Sequence, residues 1–516
     1  MSDDNGATRR NGNSPDVRIA IVGTGFSGLG MAIRLKRAGI EDFVLLERAE
    51  DVGGIWRDNT YPGCQCDVPS HLYSYSFALN PNWTRTYSRQ QEIWDYLRDC
   101  AERFEIVPHI RFGHDVHGAA WDDDAQRWQV DTSQGPLTAR VLIGANGPLT
   151  EPSAPDIPGL QSFEGTLFHS ARWNHDHDLS GERVAVIGTG ASAIQFVPRI
   201  QRHVDKLHVF QRTPPWVLPH SDRPTTSVER FLYRRFPYLQ RMVRRGIFWI
   251  RESVVPGFVH RPVLLRGLEL AARWQLRRQV RDKQVRDRLR PDYRIGCKRI
   301  LPSNAWYPAI TRPNVEVVTD GIREIKPHSI VTADGVEREI DTLILGTGFH
   351  VTDIPHAEHL RGSDGRSLAE VWDGSPQAYL GATVPGFPNL FILLGPNTGL
   401  GHNSIVIMIE AQIAYVVQAL LAMEERGLDS IDVRPDVHAA FNDDVQARMQ
   451  GTVWTAGGCQ SWYIDRNGRN TTIWPGFTWR FRERTGHFDE GDYVLRAAEP
   501  SREAERPTRA TVRVAS

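Results

Sequence analysis

Two glycine turns, each followed at the same distance by a charged residue, are the first places where this chain could do chemistry. The first holds Gly23, Gly25 and Gly28, and Glu47 lies 24 residues after Gly23. The second holds Gly188, Gly190 and Ala193, and the same 24 residues from Gly188 lead to Arg212. Glycines at this spacing let a backbone approach a pyrophosphate closely. An acid at the end of the next strand accepts hydrogen bonds from a ribose 2′-OH, whereas a guanidinium pairs with a 2′-phosphate. The first turn therefore reads as an FAD site and the second as an NADP site rather than an NAD site.

The elements around the turns agree. Residues 17–39 are an apolar run, the turn and an amphipathic helix, and 42–47 are a second strand ending in Glu47. Residues 182–200 and 206–214 repeat the pattern. The expected fold is α/β, with two dinucleotide-binding, Rossmann-like domains. Small-residue turns close strands within 141–147 and 340–350, and a proline-rich run from Pro148 to Pro158 marks a crossover. Expected segments are a disordered tail at 1–16, FAD-binding parts at 17–150 and 376–494, NADP-binding parts at 151–216 and 294–375, a helical insertion at 217–293 and a second tail at 495–516.

Composition sets limits. A chain of 516 residues exceeds one core. A net charge of −1 gives no general attraction to nucleic acid or anionic membrane. The five cysteines are too few for a disulfide framework, which favours a reducing cytoplasm, and Cys64-Gln-Cys66 lacks CxxC redox spacing. By this reading no apolar run reaches the ~20 residues of a membrane span, no signal peptide is visible, and no metal box is found. Residues 223–290 hold 18 Arg or Lys against five Asp or Glu, with aromatics between them. The favoured reading is a set of basic helices covering a substrate tunnel with apolar faces packed inward. Peripheral membrane contact is the alternative.

Residues 53–67, GGIWRDNTYPGCQCD, follow Glu47 closely enough to lie along a flavin ring. Gly53 and Gly54 permit close backbone approach, Trp56 offers a flat face, and Asp67 ends the segment. Residues 163–174, FEGTLFHSARWN, place Phe163, Gly165, His169 and Trp173 just ahead of the second turn.

Together these segments resemble the flavin-dependent Baeyer–Villiger monooxygenases, most of all the branch that includes 4-hydroxyacetophenone monooxygenase. One family fingerprint, FxGxxxHxxxW followed by Pro or Asp, is matched at Phe163, Gly165, His169 and Trp173, with Asn174 in the last place. A longer one, [AG]GxWxxxx[FY]P[GM]xxxD, is satisfied from Gly53 to Asp67. The resemblance spans roughly residues 17–490. It implies an NADPH-dependent insertion of one oxygen atom from O2 beside a ketone carbonyl, through a flavin C4a-peroxide, giving an ester or lactone. It assigns Lys298 to the 2′-phosphate, Arg299 to the flavin face as the cation that stabilises an anionic peroxide, and Asp67 to orienting Arg299. His169 and Trp173, with Phe163 and Gly165, become coupling residues between the two domains.

The expected FAD-binding set is Gly23, Gly25, Phe26, Ser27, Gly28, Glu47, Gly54, Trp56, Asp67, Tyr73 and Val116. The NADP set is Gly188, Thr189, Gly190, Ser192, Gln195, Arg212, Thr213 and Lys298. The aromatic stretch 459–482 reads as a pocket wall or as a packed lid. An N- or S-oxygenating flavin monooxygenase, which would not need Arg299, is the second reading. A two-nucleotide reductase serving a protein acceptor is the third.

Overall fold

The computed structural model describes residues 16–497. Both proposed tails fall largely outside that range, but their inner edges belong to the fold. Asp16 exchanges hydrogen bonds with Thr138, and residues 493–497 form a strand antiparallel to 428–433.

Two parallel sheets carry the glycine turns. In the first, strands Val17–Val22, Phe43–Leu46 and Leu137–Gly144 run parallel, with Val17–Val22 in the centre. Their inward positions are buried aliphatics, as expected of strands covered on both faces. Strands Val116–Asp122 and Arg127–Thr132 extend this sheet as an antiparallel meander, and Leu390–Ile392 returns late in the chain to pair with 142–144. The second sheet has five parallel strands in the order 315–318, 206–210, 183–187, 342–345, 166–169. The architecture is thus α/β with two Rossmann-like units.

Two chain crossings lie side by side between the units. Ser153 N–H donates to Gly348 O (2.9 Å), His350 N–H to Glu151 O (3.0 Å), and the Thr347 hydroxyl to Ser153 O (2.5 Å). Two short crossings bonded to each other can turn together, a suitable build for a hinge.

Three expectations are corrected here. First, helix Ile405–Glu425 has 21 residues and is long and apolar enough to cross a membrane. In this fold 67% of its most apolar window is buried, and it packs against helix Phe26–Arg37, so it serves as a core helix. Second, Cys297 and Cys459 are joined in a disulfide across 162 residues of sequence. Cys64, Cys66 and Cys100 are buried free thiols, and burial pushes the Cys64 thiol up to about 12.

Third, the helices of the insertion pack only part of their apolar residues inward: Ile247, Phe248, Phe258, Val259 and Leu276 reach the core, but many others face out. Helix Pro237–Glu252 buries Gln240 and Glu252, half-buries Arg244, and exposes Tyr238, Met242, Trp249 and Ile250. Helix Arg266–Gln279 buries Glu269 and Gln275 beside Ala272 and Leu276, and exposes Leu270 and Trp274. The buried polar groups have partners. Gln240 bonds His71 and Asn80 O, Arg244 bonds His71 O, and Gln275 bonds Ser303 O. Such bonds remove most of the cost of turning a polar face inward.

Candidate active site

A cavity of about 1370 Å³ runs between the two sheets and touches both glycine turns. The three glycine roles separate cleanly in the first turn. Gly23 has φ +100°, and a Cβ on Gly28 would run into the Gly23 carbonyl, so both are needed for the turn and for helix packing. A Cβ on Gly25 would meet nothing nearer than Gly54 Cα at 3.9 Å. In the second turn Gly188 has φ +113°, while a Cβ on Gly190 would find nothing within 4 Å. The open space at Gly25 and Gly190 is where a pyrophosphate would need it.

The helices leaving the turns fit the same ligands. Helix Phe26–Arg37 and helix Ala193–Ile200 both start without a side-chain cap and without an acid in the first turn. Their first N–H groups are left for an anion. Ser27, Thr189 and Ser192 stand at these openings and Thr213 beside Arg212; of these, Ser27 and Thr189 are buried.

Glu47 sits at the end of its strand, as expected, and is nearly fully buried. One carboxylate oxygen accepts from Thr24 N–H (3.1 Å) and the Thr24 hydroxyl (2.6 Å). The other accepts from Ala49 N–H (3.0 Å) and Arg57 (2.8 Å). Phe26, Trp56 and Tyr73 form an aromatic corner, with ring centroids 5.2–5.5 Å apart and Trp56 Nε1–H donating to the Tyr73 hydroxyl (3.1 Å). Val116 lines the same end of the cavity.

At the second turn, Arg212 and Lys298 converge from opposite sides of the insertion. Neither side chain makes an ion pair or hydrogen bond among the described residues. Burial and then the Arg212 charge lower the Lys298 ammonium, with Asp292 opposing. Two cations held together with no ion pair among the described residues fit a phosphate between them. Gln195, expected to bind NADP, lines the cavity and is also bonded across it. Its amide oxygen accepts from the Tyr61 hydroxyl (3.2 Å) and Gln65 N–H (3.1 Å), and its amide nitrogen donates to Gln65 O (2.9 Å). It clamps the second unit's helix to the 53–67 segment of the first.

Between the turns, Arg299 grips Asp67 side-on, Nε to Oδ2 at 2.8 Å and Nη2 to Oδ1 at 2.6 Å. A further N–H, on Nη1, goes to the Leu400 carbonyl (3.2 Å). Burial would raise the Asp67 carboxyl, but the Arg299 charge and hydrogen bonds, helped by Arg251, hold it below the usual carboxylate range. Asp67 in turn raises the Arg299 guanidinium against its own burial. The ion pair is therefore charged at every working pH.

The 163–174 segment lies outside the cavity. Gly165 is required because a Cβ there would strike the Asp341 carbonyl and the Phe163 ring. His169 Nδ1 accepts from Ala171 N–H (3.1 Å) and caps the turn after the edge strand. Burial lowers His169 to about 4, with the Gly348 backbone opposing. Trp173 packs on Phe196 (5.2 Å) of the helix that carries Gln195, and Phe196 meets Tyr61 (6.1 Å). A continuous path of rings thus joins the two fingerprint segments.

Sequence reasoning missed Leu400 and Glu252, whereas Trp462 and Tyr463 belong to the aromatic stretch 459–482 read as a pocket wall or a packed lid. Leu400 belongs to the Gly- and Asn-rich loop 394–404, whose sequence carries no local mark of its contact with Arg299. Trp462 and Tyr463 line the cavity, and burial pushes the Tyr463 hydroxyl up to about 12, with the Arg299 charge opposing. Glu252, at the end of an insertion helix, accepts from His402 (3.1 Å), Asn403 (2.7 Å) and Thr478 N–H (2.9 Å). That cluster anchors the loop bearing Leu400.

The pyridine nucleotide-disulphide oxidoreductase family model matches residues 20–247. A Baeyer-Villiger monooxygenase of Streptomyces coelicolor is 52% identical over 485 residues, covering 93% of each chain. The chain belongs to the Baeyer–Villiger monooxygenase family. Another Baeyer-Villiger monooxygenase, from Pseudomonas aeruginosa, is 48% identical, covering 93% of this chain and 91% of the relative. Among solved structures, a steroid monooxygenase bound to NADP is similar at TM-score 0.82 and 30% identity, covering 93% and 100% of the two chains. Closed cyclohexanone monooxygenase gives TM-score 0.83 at 27% identity, covering 93% and 99%. As a Baeyer–Villiger monooxygenase the chain is an NADPH-dependent flavoenzyme acting with O2, and FAD and NADP are its cofactors.

Proposed function

We propose that this Baeyer–Villiger monooxygenase works through Arg299 as its catalytic cation and Asp67 as the residue that positions it. The supporting observation is the bidentate Arg299–Asp67 pair on the cavity wall between the two glycine turns. Bound FAD, once reduced by NADPH, supplies the activation of O2. The chain's part is electrostatic and geometric. Arg299 keeps a fixed positive charge where negative charge grows on oxygen as the ketone carbonyl is attacked. Asp67 and the Leu400 carbonyl hold the guanidinium plane, so little reorganisation accompanies that charge.

Arg212 and Lys298 are proposed to take the NADP 2′-phosphate, and Glu47 and Arg57 to frame the FAD ribose. Phe163, Gly165, His169 and Trp173 are proposed to transmit movement of one unit to the other, through Trp173, Phe196 and Tyr61. His169 is no acid or base in this scheme, because it lies outside the cavity. Trp462 and Tyr463 are proposed as substrate-pocket wall. The substrate is a small-molecule ketone, and the cytoplasm is the proposed location. The sparse cysteine content and the free Cys64, Cys66 and Cys100 thiols support that location; the Cys297–Cys459 bridge weighs against it.

Product analysis tests the reading. The FAD-loaded enzyme, NADPH and O2 are supplied with aryl, cyclic and linear ketones beside an amine and a sulfide. Esters or lactones from ketones are expected; N- or S-oxides with no ester would move the enzyme to the second class.

A further inference from the structure

The insertion leaves many of its large apolar side chains on the outside. Met242, Ile250, Leu264 and Leu270 are 65%, 70%, 60% and 67% exposed, and Trp249 and Trp274 are more than half exposed. The spacing is regular. Tyr238, Met242, Arg245 and Trp249 form one stripe along helix Pro237–Glu252, and Leu270 and Trp274 stand one turn apart on helix Arg266–Gln279. Val228 and Phe231 do the same on helix Ser227–Arg235. Scattered exposed apolar residues are ordinary, but helices that bury Gln240, Glu252, Glu269 and Gln275 while leaving apolar stripes exposed are not.

The charges around these residues indicate what could cover them. Within 223–290 the cations number 18 and the acids five. Of those acids, Glu252 and Glu269 are buried, Glu229 is bound to Arg223, and Asp282 caps a helix. The exposed faces are therefore almost purely cationic, with Arg241, Arg245, Arg277 and Arg278 beside the apolar stripes. A second copy of the chain would bring cations against cations. A bilayer with anionic headgroups meets both needs: phosphates for the arginines, and the interfacial layer for Trp249, Trp274 and Tyr238. We propose that the outward face of residues 227–279 is a docking surface for an anionic lipid bilayer.

The proposal also accounts for the inverted helices. A face built for lipid must keep its polar residues on the protein side, where Gln240, Glu252 and Gln275 find fixed partners. Helix Pro237–Glu252 ends at the Glu252 cluster, so the docked surface connects directly to the loop that carries Leu400.

Flotation of the full-length, FAD-loaded protein with vesicles tests it. Phosphatidylcholine vesicles containing phosphatidylglycerol should carry the protein upward, phosphatidylcholine alone should not, and added salt should release it. Trp249→Ser with Ile250→Ser, and separately Arg241→Glu with Arg245→Glu, should each weaken binding about tenfold or more. FAD content and NADPH oxidation should stay at the parent level; a pair that fails this control is replaced by Leu270→Ser with Trp274→Ser. Absence of flotation with anionic vesicles overturns the proposal, as does equal flotation of the parent and every folded variant. A concentration-dependent dimer that Trp249→Ser/Ile250→Ser dissolves, with no lipid binding, assigns the face to a second copy instead.

Discussion

Arg299 and Asp67, 232 residues apart in the chain, meet through two parallel hydrogen bonds of 2.8 and 2.6 Å. Each partner comes from a different part of the fold. Asp67 ends the segment that begins against the first glycine turn, and Arg299 follows Lys298 at the mouth of the second. A movement of one unit against the other therefore acts on this pair and on the cation pair at Arg212 in the same step.

The Arg212–Lys298 pair gives a prediction about cofactor choice. Replacing Arg212 with Ala should raise the KM for NADPH about tenfold or more, the loss of one charge-assisted contact. Lys298→Ala should act in the same direction. NADH, which lacks the phosphate, should be affected little. Steady-state kinetics with both cofactors checks this, and equal losses with both would remove the phosphate assignment.

Trp173→Ala should slow coupled turnover while leaving FAD bound. The substitution removes the ring that leans on Phe196, and through it on Tyr61, without touching the cavity. Flavin content and the ratio of ester formed to NADPH consumed separate the two effects. Loss of FAD on this change would make Trp173 a folding residue instead.

His71 gives a prediction about pH. It is buried against Tyr233, its Nδ1 accepts from Gln240, and burial lowers it to about 4. The unfolded chain binds a proton there below ~6.5, whereas the folded chain does not until about 4. Stability from this site is therefore complete above the unfolded value and is lost as pH falls from there toward 4, by roughly 2–4 kcal/mol. Thermal unfolding followed between those limits should show a steeper fall for the parent than for His71→Gln.

The features legible in the sequence were those written in local spacing. Gly23, Gly25 and Gly28, Glu47, and the run from Gly53 to Asp67 each sit within one strand–turn–helix unit, so distance along the chain stands for distance in space. The Cys297–Cys459 bridge could not be read that way, because 162 residues separate its ends. Gln195 carries no local mark of its task either; only the packed fold brings Gln65 and Tyr61 to it. The insertion misled for a different reason. Periodicity shows that helix Pro237–Glu252 has an apolar stripe but not which side faces water, and here the polar partners lie inside.

The disulfide should matter to the site it borders. Cys297 precedes Lys298, and Cys459 opens the segment that places Trp462 and Tyr463 on the cavity wall. Changing both cysteines to Ala should lower the melting temperature, by an amount equivalent to roughly 2–4 kcal/mol for closing a long loop. It should also raise the share of NADPH lost to hydrogen peroxide, because the wall that excludes water is no longer tied to the Lys298–Arg299 segment. Peroxide assay beside calorimetry checks both effects.

The last prediction concerns the catalytic cation. Arg299→Ala should still bind FAD and still be reduced by NADPH, since hydride transfer comes before any negative charge on oxygen needs Arg299. It should consume O2 yet release hydrogen peroxide in place of ester, with ester formation down by about 10²–10³, as when one preorganised donor is removed from an oxyanion site. Arg299→Lys should restore little, because an ammonium cannot make the side-on pair with Asp67 while donating to Leu400. Asp67→Ala should give a milder form of the same uncoupling, since it frees the guanidinium without removing its charge. Anaerobic reduction followed in the stopped-flow, then product and peroxide assays after O2 is admitted, separates the half-reactions. An Arg299→Ala enzyme that made ester at near the parent rate would show that another residue carries the charge.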